Sequence, residues 1–262
     1  MPTDKLLYQR TGAIARIVFN NPARHNAVSL EMWEAANDAL DQAAADPDVR
    51  VLVVAGAGGK AFVSGADISK FESERASAEA VERYNRTGEQ VYSKLHGFPR
   101  PTIAAIQGYC VGGGVGIATS CDIRLCSEGS RFAIPAARLG LGYAFAGIRR
   151  LVDVVGPAFA KEMFFTARQY SASEAAAMGL VNRIVPDGEF AAYLEDYVQT
   201  IAGNAPLTVA QVKRTVGEVV KDPAERDIAA CERMIAACFA SEDYREGRTA
   251  FMEKRRPVFK GR

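Results

Sequence analysis

Apolar and polar positions along this chain follow two periods that trade places. Residues 12–19 (Gly-Ala-Ile-Ala-Arg-Ile-Val-Phe) are a β-rich run closed by the turn residues Asn20-Asn21-Pro22. From Leu30 the spacing becomes helical. Leu30, Trp33, Ala36 and Leu40 recur on one face, Ser29 stands where an N-cap belongs, and Asp46-Pro47 ends the helix after about Ala45. Val51–Ala55 and Thr102–Ile106 are continuous apolar runs of the buried-strand type, and Asp122–Cys126 reads as a further short strand. Residues 70–98 are polar and helical in character, with a surface loop expected around Glu72–Glu79. Strands alternating with helices predict an α/β fold with mainly parallel pairing.

From about Ser171 the pattern changes. Ser173-Glu174-Ala175-Ala176-Ala177-Met178-Gly179 reads as a short capped helix ended by glycine, followed by a strand at Val181–Val185. After Pro186 the chain is helical to Lys254, interrupted near Asn204–Pro206 and at Asp222-Pro223. This divides the chain into an α/β core over 1–200 and a helical region over 201–262. A helical tail of this kind would touch a sheet little, so it is expected to pack against another subunit; a self-contained helical cap would read the same way. The tail carries Lys254-Arg255-Arg256 with Lys260 and Arg262 close behind, either a solvated face or a seat for a phosphate-bearing ligand.

Composition narrows the classes. A length of 262 residues suits one large domain or one with a small appendage, and 48% hydrophobic with 24% charged residues is ordinary for a globular chain. Thirty-two basic against 31 acidic side chains leave +1, so no bulk field draws nucleic acid. No apolar run reaches membrane-spanning length, and polar Met1–Arg10 lacks the apolar core of a signal peptide. The expected location is therefore cytoplasmic. The five cysteines (110, 121, 126, 231 and 238) are odd in number and form no C-x-x-C pair, which points to free buried thiols and to no metal site.

The chemistry concentrates in glycine-rich stretches. Across Ile103–Asp122 an apolar strand ends at Gly108, a glycine cluster follows, and an apolar segment begins directly after it. Such a junction leaves amides at a helix N-terminus without partners, and glycines let a ligand approach them. The plainer reading is close helix–sheet packing. Gly56-Ala57-Gly58-Gly59-Lys60-Ala61 loosely fits a dinucleotide fingerprint, but Phe62-Val63-Ser64-Gly65-Ala66-Asp67 does not open a helix after it. It is no P-loop either, since Ala61 follows Lys60 and Val54 holds the first glycine position. Gly65-Ala66-Asp67 and Gly112-Gly113-Gly114, however, each follow a strand and can present amides on one side of a sheet. Two donors converging on one oxygen make an oxyanion hole.

On these residues the chain resembles the crotonase (enoyl-CoA hydratase/isomerase) superfamily over essentially its whole length. Asn20-Asn21-Pro22-Ala23-Arg24-His25-Asn26-Ala27 is similar to the family's N-terminal loop, Gly58 to Ile68 to its first donor segment, and Ile106 to Gly114 to its second. Ser241 to Gly247 and Ala250 to Arg255 are similar to its closing helix. The resemblance implies a spiral of ββα units, a helical C-terminal trimerisation region (homotrimer or dimer of trimers), and an acyl-CoA thioester as substrate. CoA is then part of the substrate, and no separate cofactor is expected. The resemblance puts the Ala66 and Gly113 amides on the thioester oxygen. It assigns Arg24, Ala66, Asp67, Ile68 and Ser69 to substrate binding, and takes Phe251 and Lys254 to a neighbouring subunit's CoA.

The chain also departs from the pattern. The family's hydratases place two glutamates where this chain has Gly116 and Ala136. Each such acid or base group is worth roughly 10²–10⁴ in rate, so hydration should suffer. Leu139 to Ile148 is similar to the corresponding run of methylmalonyl-CoA decarboxylase, which has a tyrosine at the Tyr143 position but a histidine where this chain has Ala66. Tyr143 is thus a candidate catalytic residue, with an aromatic pocket wall as the alternative. A decarboxylase or another glutamate-independent lyase is the favoured reaction. A hydratase or double-bond isomerase with an unidentified base, and a non-catalytic acyl-CoA-binding protein, are the rivals. His25 is expected at the ligand rim and His96 in a structural role, with Asp67 and Asp122 capping turns. Arg138, Arg149 and Arg150 are open to an acidic acyl group, a partner subunit or surface pairing.

Overall fold

The computed structural model describes residues 3–67, 70 and 77–262. Ile68, Ser69 and most of the loop expected around Glu72–Glu79 lie outside the described residues. In chain order the elements are β1 (Leu6–Thr11), β2 (Ile14–Phe19), α1 (Leu30–Ala45), β3 (Val51–Gly56), β4 (Ala61–Val63), α2 (Ala78–His96), β5 (Thr102–Ile106), β6 (Tyr109–Val111), α3 (Gly113–Ser120), β7 (Ile123–Ser127), β8 (Arg131–Ala133), α4 (Ala136–Leu139), α5 (Phe145–Thr166), β9 (Tyr170–Ser171), α6 (Ala172–Ala177), β10 (Arg183–Val185), α7 (Phe190–Gly203), α8 (Pro206–Val219), α9 (Ile228–Ala240) and α10 (Glu242–Met252).

Two sheets run side by side. The larger has the order β1-β2-β3-β5-β7-β10 and is parallel except for the β1–β2 hairpin; the smaller has the order β4-β6-β8-β9. After each central strand the chain steps from the large sheet to the small one and then enters a helix: β3–β4–α2, β5–β6–α3, β7–β8–α4. This is a spiral of ββα units, as the resemblance implies. The continuous apolar runs follow from burial on both sheet faces. Leu52, Val54, Ala104 and Ile106 face the main core with α1, whereas Val51, Val53, Ile103 and Ala105 face α7 through Phe190, Val198 and Ala202.

Several boundaries differ from the sequence expectations. The first strand begins at Ile14, because Gly12 (φ +58°) turns a hairpin whose other arm is β1 in the polar N-terminus. The strand expected to end at Gly108 stops at Ile106; Gly108 (φ +68°) turns the chain into β6. Helix α6 starts at Ala172, capped by Ser171 in a reciprocal pair with Glu174, two residues before the expected Ser173. The following strand is shortened to Arg183–Val185. Helices α4 and α5 were not legible as helices. Their run contains Gly140, Gly142, Gly156 and Pro157, all helix breakers by propensity, yet burial of Leu151, Val155, Ala160 and Met163 holds α5 in place.

Helices α8–α10 form a C-terminal layer. It is tied to the starts of β7 and β3 by Lys213, whose Nζ meets the Asp122 carboxylate at 2.7 Å, and by Arg50, which donates to the Phe259 carbonyl after α10 and to that of Ala202 in α7. Asp122 also accepts from the Thr102 amide and hydroxyl, so it links the starts of β5 and β7 and is not the cap of a local turn that the sequence suggested. The five cysteines are free and four are buried. Among the described residues no helix is long and apolar enough to cross a membrane.

Candidate active site

The site is built by two neighbouring parallel strands. β4 pairs with β6 (Ala61↔Tyr109, Val63↔Cys110), so the loops Ser64–Asp67 and Gly112–Gly113 leave the sheet side by side at one end. They touch: a Cβ placed on Gly112 or Gly113 would lie 3.9 Å from the Gly65 Cα. Gly112 has φ +54°, and a side chain on Gly114 would run into the Val63 carbonyl, so glycine is required at both. The first loop is pinned from behind. Val28 donates to the Gly65 carbonyl and Asp67 donates back to Val28, which turns the intervening Ala66 amide the other way. Gly113 opens α3, where no intrahelical acceptor exists. Neither the Ala66 nor the Gly113 amide is engaged by another group among the described residues.

The walls are aromatic. Tyr143 brings its hydroxyl 3.8 Å from where a Gly112 Cβ would stand, and its ring packs edge-on against Phe164 with centroids 4.9 Å apart. A straight α5 of 22 residues would span about 30 Å. The contact between Tyr143 before the helix and Phe164 near its far end exists because the chain breaks at Gly156 (φ +74°, ψ 166°), next to Pro157. Burial pushes the Tyr143 phenol above its ordinary range, so it is a neutral hydrogen-bond donor at neutral pH.

Gly116 lies in the first turn of α3 and Ala136, buried, opens α4, and neither brings a carboxylate. The space over Gly116 is filled by Tyr92 from α2, a residue sequence reasoning missed. The signal was present: Tyr84, Gly88, Val91 and Leu95 form the buried stripe of an otherwise polar helix, and Tyr92 lies one turn beyond Gly88 beside that stripe. Behind Tyr92, Arg150 grips Glu89 with two bonds of 2.8 and 2.7 Å, and its guanidinium lies 5.2 Å from the Tyr92 ring centre. That grip holds the Glu89 carboxyl below its ordinary value. Arg150 is thus an internal ion pair; Arg149 pairs loosely with Asp153 at 3.9 Å, and Arg138 is exposed.

The remaining sequence candidates fall into two places. Arg24 is exposed beside the first loop, its carbonyl accepting from Ser64 Oγ at 3.4 Å, and Asp67 is buried at that loop's end. Asn26 fixes this corner by donating to the carbonyls of Ala57 and Ala61. His25 is an exposed rim residue set edge-on to Tyr109, and His96 is exposed in the last turn of α2. Ile68 and Ser69 are among the residues not described. Phe251 and Lys254 stand apart in the C-terminal layer, both exposed, and Phe251 lines a cavity of about 900 Å³ with Ile235, Phe239, Tyr244, Met252 and Phe259. Of the basic cluster there, Arg255 is occupied by Glu246 and Glu253.

Comparison with known proteins identifies the family. The family model described as Enoyl-CoA hydratase/isomerase matches residues 9–262. The chain is 32% identical to a short-chain-enoyl-CoA hydratase of Clostridium acetobutylicum, with 98% of this chain and 97% of that one covered. It is 34% identical to a carnitinyl-CoA dehydratase of Escherichia coli (99% and 100% covered). Among solved structures, an enoyl-CoA hydratase/carnithine racemase from Magnetospirillum magneticum superposes with a TM-score of 0.91 at 36% identity, covering 99% of this chain and 97% of that one. A match over nearly the full length, on a spiral that sets two unengaged amides side by side, places the chain in the enoyl-CoA hydratase/isomerase family.

Proposed function

We propose that the protein binds an acyl-CoA thioester with its carbonyl oxygen against the Ala66 and Gly113 amides and stabilises the enolate that forms there. The observation that carries this reading is the pair of unengaged amides on adjoining loops at one end of β4 and β6. Fixed donors act most on charge that develops in the transition state, and one such donor supplies roughly 10²–10³ in rate. In this reading Arg24, Asp67, Ile68 and Ser69 flank the CoA path, CoA being part of the substrate. Phe251 and Lys254 serve the ligand of a neighbouring copy in a homotrimer or dimer of trimers.

The missing carboxylates favour decarboxylation of a malonyl-type thioester. The bond from the α carbon to the carboxylate breaks, CO2 leaves, the electron pair becomes the enolate, and a proton adds to the α carbon. The first step needs no base, and Tyr143 is the candidate to orient the carboxylate or relay the proton. The names of the relatives favour a second reading, addition or loss of water. That reaction asks for a base, and Glu89, a carboxylate behind Tyr92, is engaged by Arg150.

Both reactions should be measured on the wild type and on Tyr143→Phe. Crotonyl-CoA hydration is expected at least about 10²-fold below that of a glutamate-bearing relative. Malonyl-type turnover should be faster and should fall in the phenylalanine variant. Efficient hydration by the wild type would return the protein to the hydratases. Tight thioester binding without any turnover would make it a binding protein. In Gly113→Val the new Cβ would stand 3.1 Å from the Tyr92 hydroxyl and the branch would cover the amide, so affinity and turnover should fall together.

A further inference from the structure

Tyr92 fills the space that side chains at positions 113 and 116, in the first turn of α3, would enter. A Cβ on Gly116 would stand 3.1 Å from Tyr92 Cζ, 3.2 Å from Cε1 and 3.3 Å from the hydroxyl oxygen; one on Gly113 would stand 3.1 Å from that oxygen. The hydroxyl donates to the Gly113 carbonyl at 3.3 Å. The ring is held on two further sides, by Trp33 edge-on at 5.4 Å and by the Arg150 guanidinium. Arg150 is itself fixed by Glu89 and is 11% exposed, so the guanidinium that flanks the ring is held in place by a partly buried ion pair.

An oxygen bonded to the Gly113 amide sits about 2.9 Å from that nitrogen, which puts the acyl α and β carbons within a few ångströms of this same turn. We propose that Tyr92, clamped by Arg150 and Glu89, is the specificity-determining residue of the acyl pocket. Its ring takes the volume that a side chain at position 116 would use, and it closes the pocket to long acyl chains. This inference rests on the reading of the Ala66–Gly113 pair as the thioester site and adds the class of substrate, a short and compact acyl group. It also explains why the glycine at 116 and a tyrosine at 92 belong together: phenol and carboxylate compete for one space.

The test compares affinities of CoA, acetyl-CoA, butyryl-CoA and octanoyl-CoA for the wild type, Tyr92→Phe and Tyr92→Ala by calorimetry. In an open apolar pocket each added methylene would tighten binding about fourfold. The wild type should instead bind octanoyl-CoA at least about 10-fold more weakly than butyryl-CoA. Tyr92→Phe keeps the ring and should keep that order, whereas Tyr92→Ala should tighten octanoyl-CoA by about 10-fold or more and leave CoA itself unchanged. Butyryl- and octanoyl-CoA bound equally by the wild type, or an unchanged order in Tyr92→Ala, would overturn the role of Tyr92 and leave the thioester site standing. Failure of the wild type to bind any thioester more tightly than CoA would overturn both. The shared volume has its own readout in folding. Gly116→Glu should lower Tm by about 3–10 °C in the wild type and by less than half as much in the Tyr92→Ala background. Equal losses in both backgrounds would show that the two positions do not share space and would end the proposal.

Discussion

At the scale of single residues, the site depends on polar groups that work from behind it. Arg124 is 6% exposed and donates to the carbonyls of Leu180, Ala118 and Cys121, which ties the end of α3 to the segment after α6. Arg124→Met would keep the bulk and take the side-chain donor from the Leu180 and Cys121 carbonyls, while the Ala118 carbonyl keeps the Cys121 amide. A loss of about 2–4 kcal/mol in urea unfolding is expected, because unpaired buried acceptors retain their full desolvation cost. Glu89 makes a prediction about pH. Hydrogen bonding to Arg150 depresses its carboxyl pKa in the folded state. The pair's contribution is therefore complete above the unfolded value of about 4.3 and disappears as pH falls through the lower folded value. Between about pH 5 and pH 3 the wild type should lose more stability than Glu89→Gln. Parallel acid limbs for the two proteins would show that the pair adds nothing.

At the scale of elements, α5 decides where Tyr143 stands. Its break at Gly156 combines φ +74° with ψ 166°, a conformation open to glycine and strained for other residues. Gly156→Ala should cost about 1–3 kcal/mol in stability. If the bend positions Tyr143 against Phe164, thioester turnover should fall further than global stability explains, at a temperature where the variant is still folded. Turnover that simply tracks the folded fraction would reduce the bend to a packing feature. The capping box of α6 is a contrasting case. Ser171→Ala should cost about 1 kcal/mol and leave turnover alone, since the hydroxyl bonds groups of its own first turn, the Glu174 amide and the Ser173 and Glu174 side chains.

At the scale of the whole molecule, the C-terminal layer exposes more apolar surface than one chain can use. Phe251 and Met252 are 83% and 80% exposed, and Phe239 and Ile228 on α9 are 63% and 61% exposed. Truncation at Ser241 would be a poor probe of assembly. The tail is sewn into the layer, Asp243 accepting from the amides of Lys260 and Gly261 and the Arg262 carbonyl from Glu242. Point charges are cleaner. The full-length protein should sediment as a trimer or a multiple of it, and Phe251→Glu with Met252→Glu should disperse it without unfolding the monomer. A monomeric wild type would remove the subunit-bridging roles of Phe251 and Lys254.

Much of this protein can be derived from local sequence. The apolar runs of β3 and β5, the face of α1 and the helical tail follow from periodicity, because burial on two faces or on one stripe leaves a pattern that single residues carry. The glycine loops are legible for the same reason: a backbone that must turn through positive φ or meet a carbonyl admits no side chain. What the linear chain conceals are relations between distant segments. That β4 and β6 are neighbours, and so bring Ala66 beside Gly113, is a property of the sheet. So are the bend that folds Phe164 back onto Tyr143 and the hairpin that turns a polar N-terminus into an edge strand. Position 116 is the sharpest instance. Sequence records that a carboxylate is missing there, but only packing, through the approach of Tyr92 from a helix some twenty residues earlier, decides what occupies its place.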